Sequence, residues 1–235
     1  MQMDAIWNRA RADLVLTTKQ GNPDVFLFEH ASRVALNAQR LARLPEFSST
    51  DLDPTALLVA ALYHDASWVT RCKDGELDRM EVLLSSVAES AWDGSVAAME
   101  RGLSKLLPGP VLRRAASAIR SLSRHGNDSA EGRVVSEANS LDEFGLPALW
   151  GMIRRGMLDG RGVQAVLEMW QRKREYQFWT ARLRDSFQVP AVRRLAEQRL
   201  QTFERFMEEL AQQQAGSDTE RACAGSNTRE QARTT

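Results

Sequence analysis

The chain has 235 residues, which is enough for one large domain or two small ones with a sizeable core. Its 43% hydrophobic and 26% charged residues are typical of a globular protein and exclude a collagen-like or disulfide-dense chain. The 31 basic and 31 acidic side chains cancel, so no global positive field attracts nucleic acid or an anionic membrane.

Cysteine usage and hydropathy indicate the cellular compartment. Cys72 and Cys223 lie far apart and form neither a thiolate metal site nor a disulfide framework, which favours a reducing environment. Residues 1–10 lack the apolar centre of a secretion signal. No segment reaches the roughly 18 apolar residues that span a bilayer. We therefore expect a cytoplasmic protein that is neither exported nor embedded in a membrane.

Helical periodicity runs through most of the chain, and the sequence predicts an all-α fold. Apolar residues recur every three or four positions over 24–44, and Pro45 ends the pattern. Asp53 is placed to cap a second helix over 55–66, with Pro54 in its first turn. Seven more helices are predicted over 77–91, 93–107, 111–124, 131–143, 146–155, 162–186 and 190–214.

The last two predicted helices close the domain. The apolar stripe of 190–214 has i, i+3, i+4 spacing and indicates a helix-packing surface. Trp170, Phe178 and Trp179 form either core or the face of a homodimer. Residues 215–235 are polar, with mixed charge and no apolar pattern. We therefore expect a single domain over 1–214 followed by a disordered tail.

The histidines are the sharpest chemical feature. His64 is followed directly by Asp65 at the end of an apolar helix, which places a nitrogen ligand beside a carboxylate. His30 lies in the first amphipathic helix, and packing of the two helices would bring it to the same point. The alternative to a metal site is that His30 is a partly buried helix residue and that His64 and Asp65 are the polar end of a helix.

Three strings in this order resemble the HD superfamily of metal-dependent phosphohydrolases. They are 29–34 (EHASRV), 60–65 (AALYHD) and 134–145 (VVSEANSLDEFG), and they are similar to the family's first histidine, its His-Asp pair and its final-aspartate helix. The resemblance covers about 24–145, and 192–210 is similar to the closing helix of some bacterial members. It implies a bundle of roughly eight to ten helices. It also implies one divalent metal held by His30, His64, Asp65 and the residue at the final-aspartate position.

Asn139 occupies that final position, so this chain departs from the family pattern. Its amide oxygen can bind a metal but adds no charge, and affinity for a divalent cation should fall. Asp142 and Glu143 follow on about the same helix face and are close enough to compensate, although solvated charges or helix-end contacts are their ordinary roles. His125, in a predicted loop, is either a surface residue, a phosphate contact, a supporting hydrogen-bond partner or a ligand for a second metal ion.

The resemblance implies hydrolysis of a phosphate ester, such as a nucleotide or similar metabolite, through a metal-bound hydroxide. Mixed nitrogen and oxygen ligands suit Mn, Fe, Ni, Co or Zn better than Mg. Asp65 is the candidate base, and Arg33, one turn after His30, is the main candidate phosphate contact. Lys73 and Arg79 are weaker candidates for phosphate.

Two other functions remain open. Asn139 and Trp68 stand where the family often keeps carboxylates, which favours a catalytically degenerate HD domain acting as a binding or regulatory module. The basic residues within 154–174 suggest a further alternative, a hydrolase that acts on nucleic acid. Because acidic residues lie between the basic ones, a solvent-exposed helix face is the simpler interpretation. The expected partner is therefore a small phosphorylated metabolite, with neither membrane nor nucleic acid.

Overall fold

The computed structural model describes residues 2–84, 91–124 and 128–219, and these contain eleven α-helices. The helices are α1 (Gln2–Leu14), α2 (Phe26–Leu41), α3 (Pro54–Tyr63), α4 (Ser67–Lys73), α5 (Ala91–Leu103), α6 (Gly109–Ser121), α7 (Ala130–Asp142), α8 (Leu146–Leu158), α9 (Val163–Glu175), α10 (Phe178–Asp185) and α11 (Pro190–Ala215). Strands β1 (Leu16–Thr17) and β2 (Pro23–Asp24) pair antiparallel ahead of α2. The predicted all-α fold class is confirmed.

Helix α3 lies at the centre of the fold because its sequence is apolar on every side. Residues Ala56 to Tyr63 are all buried, as expected for a helix without a polar face. The Asp53 side chain accepts hydrogen bonds from the backbone N–H groups of Thr55 (2.8 Å) and Ala56 (3.0 Å), and this predicted cap is confirmed. Helices α2, α6 and α7 pack around α3. Its C-terminal end therefore meets side chains from α2 and α7.

Helices α8 to α11 form a second group of helices beside this centre. Helix α11 packs on α7, α8 and α9 through a stripe of five buried residues, Val192, Ala196, Leu200, Phe203 and Met207. The rings of Trp170 and Trp179 lie 5.8 Å apart, and both pack against Phe203. At these two tryptophans the aromatic stripe is core, which is one of the two interpretations that the sequence allowed.

Several predicted helix boundaries are wrong. Helix α1 was not predicted, although it buries Ile6, Ala10 and Leu14 at helical spacing. The predicted helix over 55–66 is two helices, since α3 ends at Tyr63 and α4 begins at Ser67. The predicted helix over 162–186 is divided into α9 and α10 at Gln177, whose φ of 50° lies in the left-handed region.

The prediction over 77–91 is also wrong in its described part. Between 77 and 84 only a 3-10 turn over Arg79–Glu81 is helical, and Leu83 has a left-handed φ of 62° that a continuing helix does not allow. At the other end of the chain, α11 continues to Ala215 and ends at Gly216, with φ of 71°.

Some predictions concern residues outside the described ranges. His125 is one of them, and so is most of the predicted tail, from 220 to 235. Within the described residues, no helix combines the length and the apolar character needed to cross a bilayer.

Candidate metal centre

Three predicted site residues converge where α2 and α3 meet. His30 Nε2 and His64 Nε2 lie 3.2 Å apart, and Asp65 Oδ2 lies 3.4 Å from each of them. His30 projects from α2, whereas His64 and Asp65 follow the last residue of α3. All three side chains are buried, and His64 has no exposed surface. The packing of two helices thus brings together residues 34 positions apart in the sequence.

The outer nitrogen of each histidine has a fixed partner. His64 Nδ1 donates to the backbone carbonyl of Ala61 at 2.8 Å, and His30 Nδ1 donates to Asp142 Oδ2 at 2.9 Å. When both imidazoles are neutral, their Nε2 lone pairs therefore face each other. A cation between them relieves this opposition, and the donor set of two nitrogens and one carboxylate suits a divalent transition metal.

The pKa values of the two histidines are shifted in opposite directions. Burial lowers the pKa of His64. Burial also acts to lower the pKa of His30, but hydrogen bonds to Asp142 and Asp65 outweigh it and raise that pKa to about 9. Hydrogen bonds from His30 and Arg33 outweigh the burial of Asp142 and lower its pKa to about 2. The carboxylates that favour a proton on His30 also favour a divalent cation beside it.

Asn139 and Asp142 approach the histidines from one face of α7. Asn139 lines the same cleft as the cluster and is close enough to His64 to act to raise its pKa. Asp142 is 5% exposed, and the expectation of a solvated charge or a plain helix-end contact is wrong for it. Its oxygens accept from His30 and, in a bidentate pair, from Arg33 Nε (2.8 Å) and Nη2 (2.9 Å). Asp142 therefore orients His30 instead of facing solvent.

Arg33, the main candidate phosphate contact, is committed in part to this carboxylate. Its side chain remains 34% exposed and lines the cleft. Its Nη1 makes no hydrogen bond within the described ranges. Arg33 thus has one nitrogen free for a ligand while the other two hold Asp142. The weaker candidate Arg79 is instead paired with Asp24 at 2.6 Å, and Lys73 is exposed.

A cleft of about 510 Å³ opens from the cluster toward α8, α9 and α10. Besides Arg33, its basic lining residues are Arg155 and Lys173. The Lys173 ammonium lies 4.0 Å from the Phe178 ring centre, and burial lowers its pKa. Trp68 is buried and also lines the cleft, and its indole N–H has no partner within the described residues.

The basic segment 154–174 divides between solvent and the interior. Arg172 and Arg174 are exposed, as the solvated-face interpretation requires. For Arg155 and Lys173 that interpretation is wrong, since both are half-buried in the cleft wall. Sequence reasoning missed them because the apolar residues of α8 and α9 do not show which side of each helix faces the histidines.

The loop that follows α4 is held beside the cleft by the Asp24 carboxylate and by hydrogen bonds from two arginines of α8, Arg154 and Arg155. Asp24 accepts hydrogen bonds from Arg79 (2.6 Å) and from Arg154 of α8 (3.1 Å). The Arg155 guanidinium donates to the carbonyl of Leu84 at 2.9 Å. These contacts join the start of α2, the turn near residue 80 and α8 around the mouth of the cleft.

Solved bacterial structures share this architecture. Bacillus subtilis YpgQ, an HD-domain protein solved in complex with ADP, aligns with 90% of this chain and 94% of its own, at 22% identity and a TM-score of 0.55. The chain has an HD-domain fold. The fold that the three sequence strings imply is thereby confirmed.

Two further solved structures are similar to this chain at comparable coverage. A protein of Listeria innocua is 16% identical, with a TM-score of 0.51, over 92% of this chain and 98% of its own. A predicted HD superfamily hydrolase from an uncultured Thermotogales bacterium is 18% identical, with a TM-score of 0.49, over 90% of this chain and 92% of its own. No family model and no curated protein matches the sequence. The likeness to YpgQ and to the Listeria protein establishes the fold, and a shared fold does not establish a function.

Proposed function

We propose that this HD-domain chain is a metal-dependent phosphohydrolase that cleaves the phosphate ester of a nucleotide or a similar metabolite. The observation that carries the proposal is the convergence of His30 Nε2, His64 Nε2 and Asp65 Oδ2 within 3.4 Å at one end of a cleft with basic walls. A divalent cation in such a site lowers the pKa of water and polarises a phosphoryl oxygen.

The proposed metal ligands are His30, His64, Asp65 and Asn139, and a neighbouring carboxylate orients one of them. His30, His64 and Asp65 hold the metal, and the Asn139 amide oxygen is the fourth candidate ligand. Asp142 keeps the His30 proton on Nδ1 so that Nε2 remains a ligand atom. Asp65 also offers a carboxylate oxygen that can accept a proton from the attacking water.

The basic side chains of the cleft supply what a phosphoryl group requires. Phosphoryl transfer depends mainly on positioning and on cations that stabilise the charge of the equatorial oxygens. Arg33 can donate from Nη1 to a phosphate oxygen while Asp142 holds its other nitrogens. Lys173 and Arg155 add positive charge farther along the cleft.

A nucleotide is the favoured substrate class because partly exposed aromatic rings line the cleft. Trp92 and Phe178 are half-buried in its wall, and ring faces of this kind accept a nucleobase by stacking. The ADP complex of YpgQ supports the same class, since that protein shares the fold. The identity of the metabolite follows from an assay, not from the fold.

Two residues of the cleft favour the alternative function, a binding or regulatory module without catalysis. Asn139 brings no charge to the cluster, and the buried Trp68 occupies a position where some HD enzymes carry an acidic residue. Among the described residues that line the cleft, Asp142 and Glu143 are engaged by arginines, Glu143 by Arg182. Asp65 is therefore the carboxylate on which hydrolysis depends.

Phosphate release by the purified chain tests the proposal. ADP, ATP, AMP and p-nitrophenyl phosphate are each incubated with Mn²⁺, Ni²⁺, Co²⁺ or Zn²⁺, and Asp65→Asn is compared with the exposed control Asp93→Asn. We expect hydrolysis of at least one nucleotide by wild type and by the control, and a loss of about a thousandfold in Asp65→Asn. A wild-type protein that binds metal but cleaves none of these esters would favour the binding module.

A further inference from the structure

A second cavity of about 380 Å³ adjoins the metal cleft, and Arg33 and Asp142 form part of the wall of both. Its other basic lining residues are Arg40, from the last turn of α2, and Arg199 of α11. We call this cavity, defined by Arg33, Arg40 and Arg199, the arginine pocket. Neither the ligand set of the metal centre nor the proposed hydrolysis uses Arg40 or Arg199.

Positive charge exceeds negative charge in the arginine pocket. Asp142 is the one acidic residue in its lining, and both Asp142 oxygens already accept hydrogen bonds from His30 or Arg33. Arg199 is half-buried and donates from Nη1 to the backbone carbonyl of Leu141 at 3.0 Å. Neither Arg199 nor Arg40 has a carboxylate at ion-pair distance in the described part of the chain. A half-buried guanidinium without a counter-charge is costly unless an anion accompanies it.

The N-terminus of α8 adds to this positive field. Gly145 precedes the 13-residue helix, supplies no capping side chain, and lines the pocket together with Leu146 and Pro147. Pro147 has no N–H and the Ala148 N–H donates to the Gly145 carbonyl at 3.1 Å, which leaves the Leu146 N–H for an anion. The helix dipole makes this end positive. Gly145 has a φ of 85°, and a Cβ placed there would lie 3.1 Å from Arg199 Cβ. Glycine at 145 therefore allows Arg199 to pack directly against the start of α8.

We propose that the arginine pocket binds a small phosphoryl anion, inorganic phosphate or pyrophosphate, at a site separate from the metal cleft. Guanidinium groups pair with phosphate oxygens by two parallel hydrogen bonds, and a helix N-terminus supplies a further anion contact. Asn37 and Thr202 also line the pocket and offer neutral hydrogen-bond donors. The bound anion would share Arg33 with Asp142 and so touch the pair that orients His30.

Calorimetric titration of the metal-free, full-length protein with inorganic pyrophosphate tests this inference. The cleft lysine is first removed by Lys173→Gln, so that binding in the metal cleft is weakened. We expect Lys173→Gln to keep the wild-type affinity for pyrophosphate. As single substitutions in the wild-type chain, Arg199→Gln and Arg40→Gln should each weaken binding about tenfold, because each removes a charge-assisted contact.

The matched control is Arg194→Gln. Arg194 is exposed on the same helix, five residues before Arg199 and thus about 140° around the helix axis. It should leave pyrophosphate affinity unchanged. Arg40 is exposed, so Arg40→Gln keeps the test decisive if Arg199→Gln does not fold.

Two results would overturn the inference. One is pyrophosphate affinity equal to wild type in both Arg40→Gln and Arg199→Gln. The other is loss of binding in Lys173→Gln with both arginine variants unaffected, which would assign the anion to the metal cleft. Because the titration measures binding without metal, its outcome does not depend on whether the chain hydrolyses phosphate esters.

Discussion

A hydrogen bond of 2.9 Å joins His30 Nδ1 to the Asp142 carboxylate, across 112 positions of sequence. It determines that His30 presents Nε2 to His64, and Arg33 holds the same carboxylate from its other side. Asp142 thus connects the metal cluster to the arginine on the cleft wall.

Replacing Asp142 by Asn should weaken metal binding without removing it. Loss of the negative partner makes His30 a poorer ligand and leaves Arg33 without its counter-charge, and supporting carboxylates of this kind contribute roughly 10- to 100-fold to metal affinity. Chelator competition with Zn²⁺ or Mn²⁺ measures the effect, with the exposed Asp93→Asn as control. Equal affinity in wild type and Asp142→Asn would contradict a supporting role.

Asn139→Asp should raise metal affinity about tenfold or more, because ligand charge governs affinity for divalent cations. Ser140→Asp adds the same charge one position along α7 and is the matched control. The same competition assay reports the change. If Asn139→Asp binds no more tightly than Ser140→Asp, residue 139 is not a ligand. If affinity rises and no phosphate ester is cleaved, the binding module is favoured over the enzyme.

Lys173→Gln should lower kcat/KM for a nucleotide about tenfold and leave metal affinity unchanged. The substitution removes one charge-assisted contact to the phosphate, and Lys173 is not one of the candidate metal ligands. Arg174→Gln, the exposed neighbour, is the control and should behave as wild type. An unchanged kcat/KM in Lys173→Gln would place the phosphate elsewhere in the cleft.

Asp24→Asn should destabilise the fold by about 2 kcal/mol at pH 7, because it removes charge-assisted hydrogen bonds from Arg79 and Arg154. Burial acts to raise the Asp24 pKa, but the two arginines outweigh it and hold the pKa below its usual value. The carboxylate therefore stabilises the fold above the unfolded pKa of 3.8 and loses this effect as pH falls through the folded pKa.

Urea unfolding at a series of pH values checks this prediction. The difference between wild type and Asp24→Asn should be full at neutral pH and shrink below about pH 4. Asp159→Asn, at an exposed position after α8, should match wild type throughout. A difference that does not vary with pH would show that the charge of Asp24 is not what stabilises the fold.

Local sequence signals predicted much of the fold and the centre of the site. The cap at Asp53 and the all-apolar α3 follow from residues adjacent in sequence, and such signals survive folding. His30, His64 and Asp65 also meet as the family strings imply. That they bind a metal stays a prediction.

The rest depends on tertiary packing that local patterns do not encode. Helical spacing places Asp142 on the same face as Asn139, but its burial depends on Arg33, 109 positions away. No typical turn residue marks the break between α9 and α10 at Gln177. This break allows the ring centre of Trp179 to lie 5.6 Å from that of Phe144. The helix boundaries and side-chain partners that sequence reasoning missed are therefore set by contacts between residues far apart in sequence.

Metal content is the most direct measurement of the central claim. The full chain and His64→Ala are purified without chelator, checked for folding by circular dichroism, and analysed by elemental mass spectrometry. We predict about one transition-metal ion per wild-type chain and loss of that metal in the folded variant. The same metal content in both proteins, or a wild-type protein that stays empty after Mn²⁺, Ni²⁺ or Zn²⁺ is added, would contradict the account.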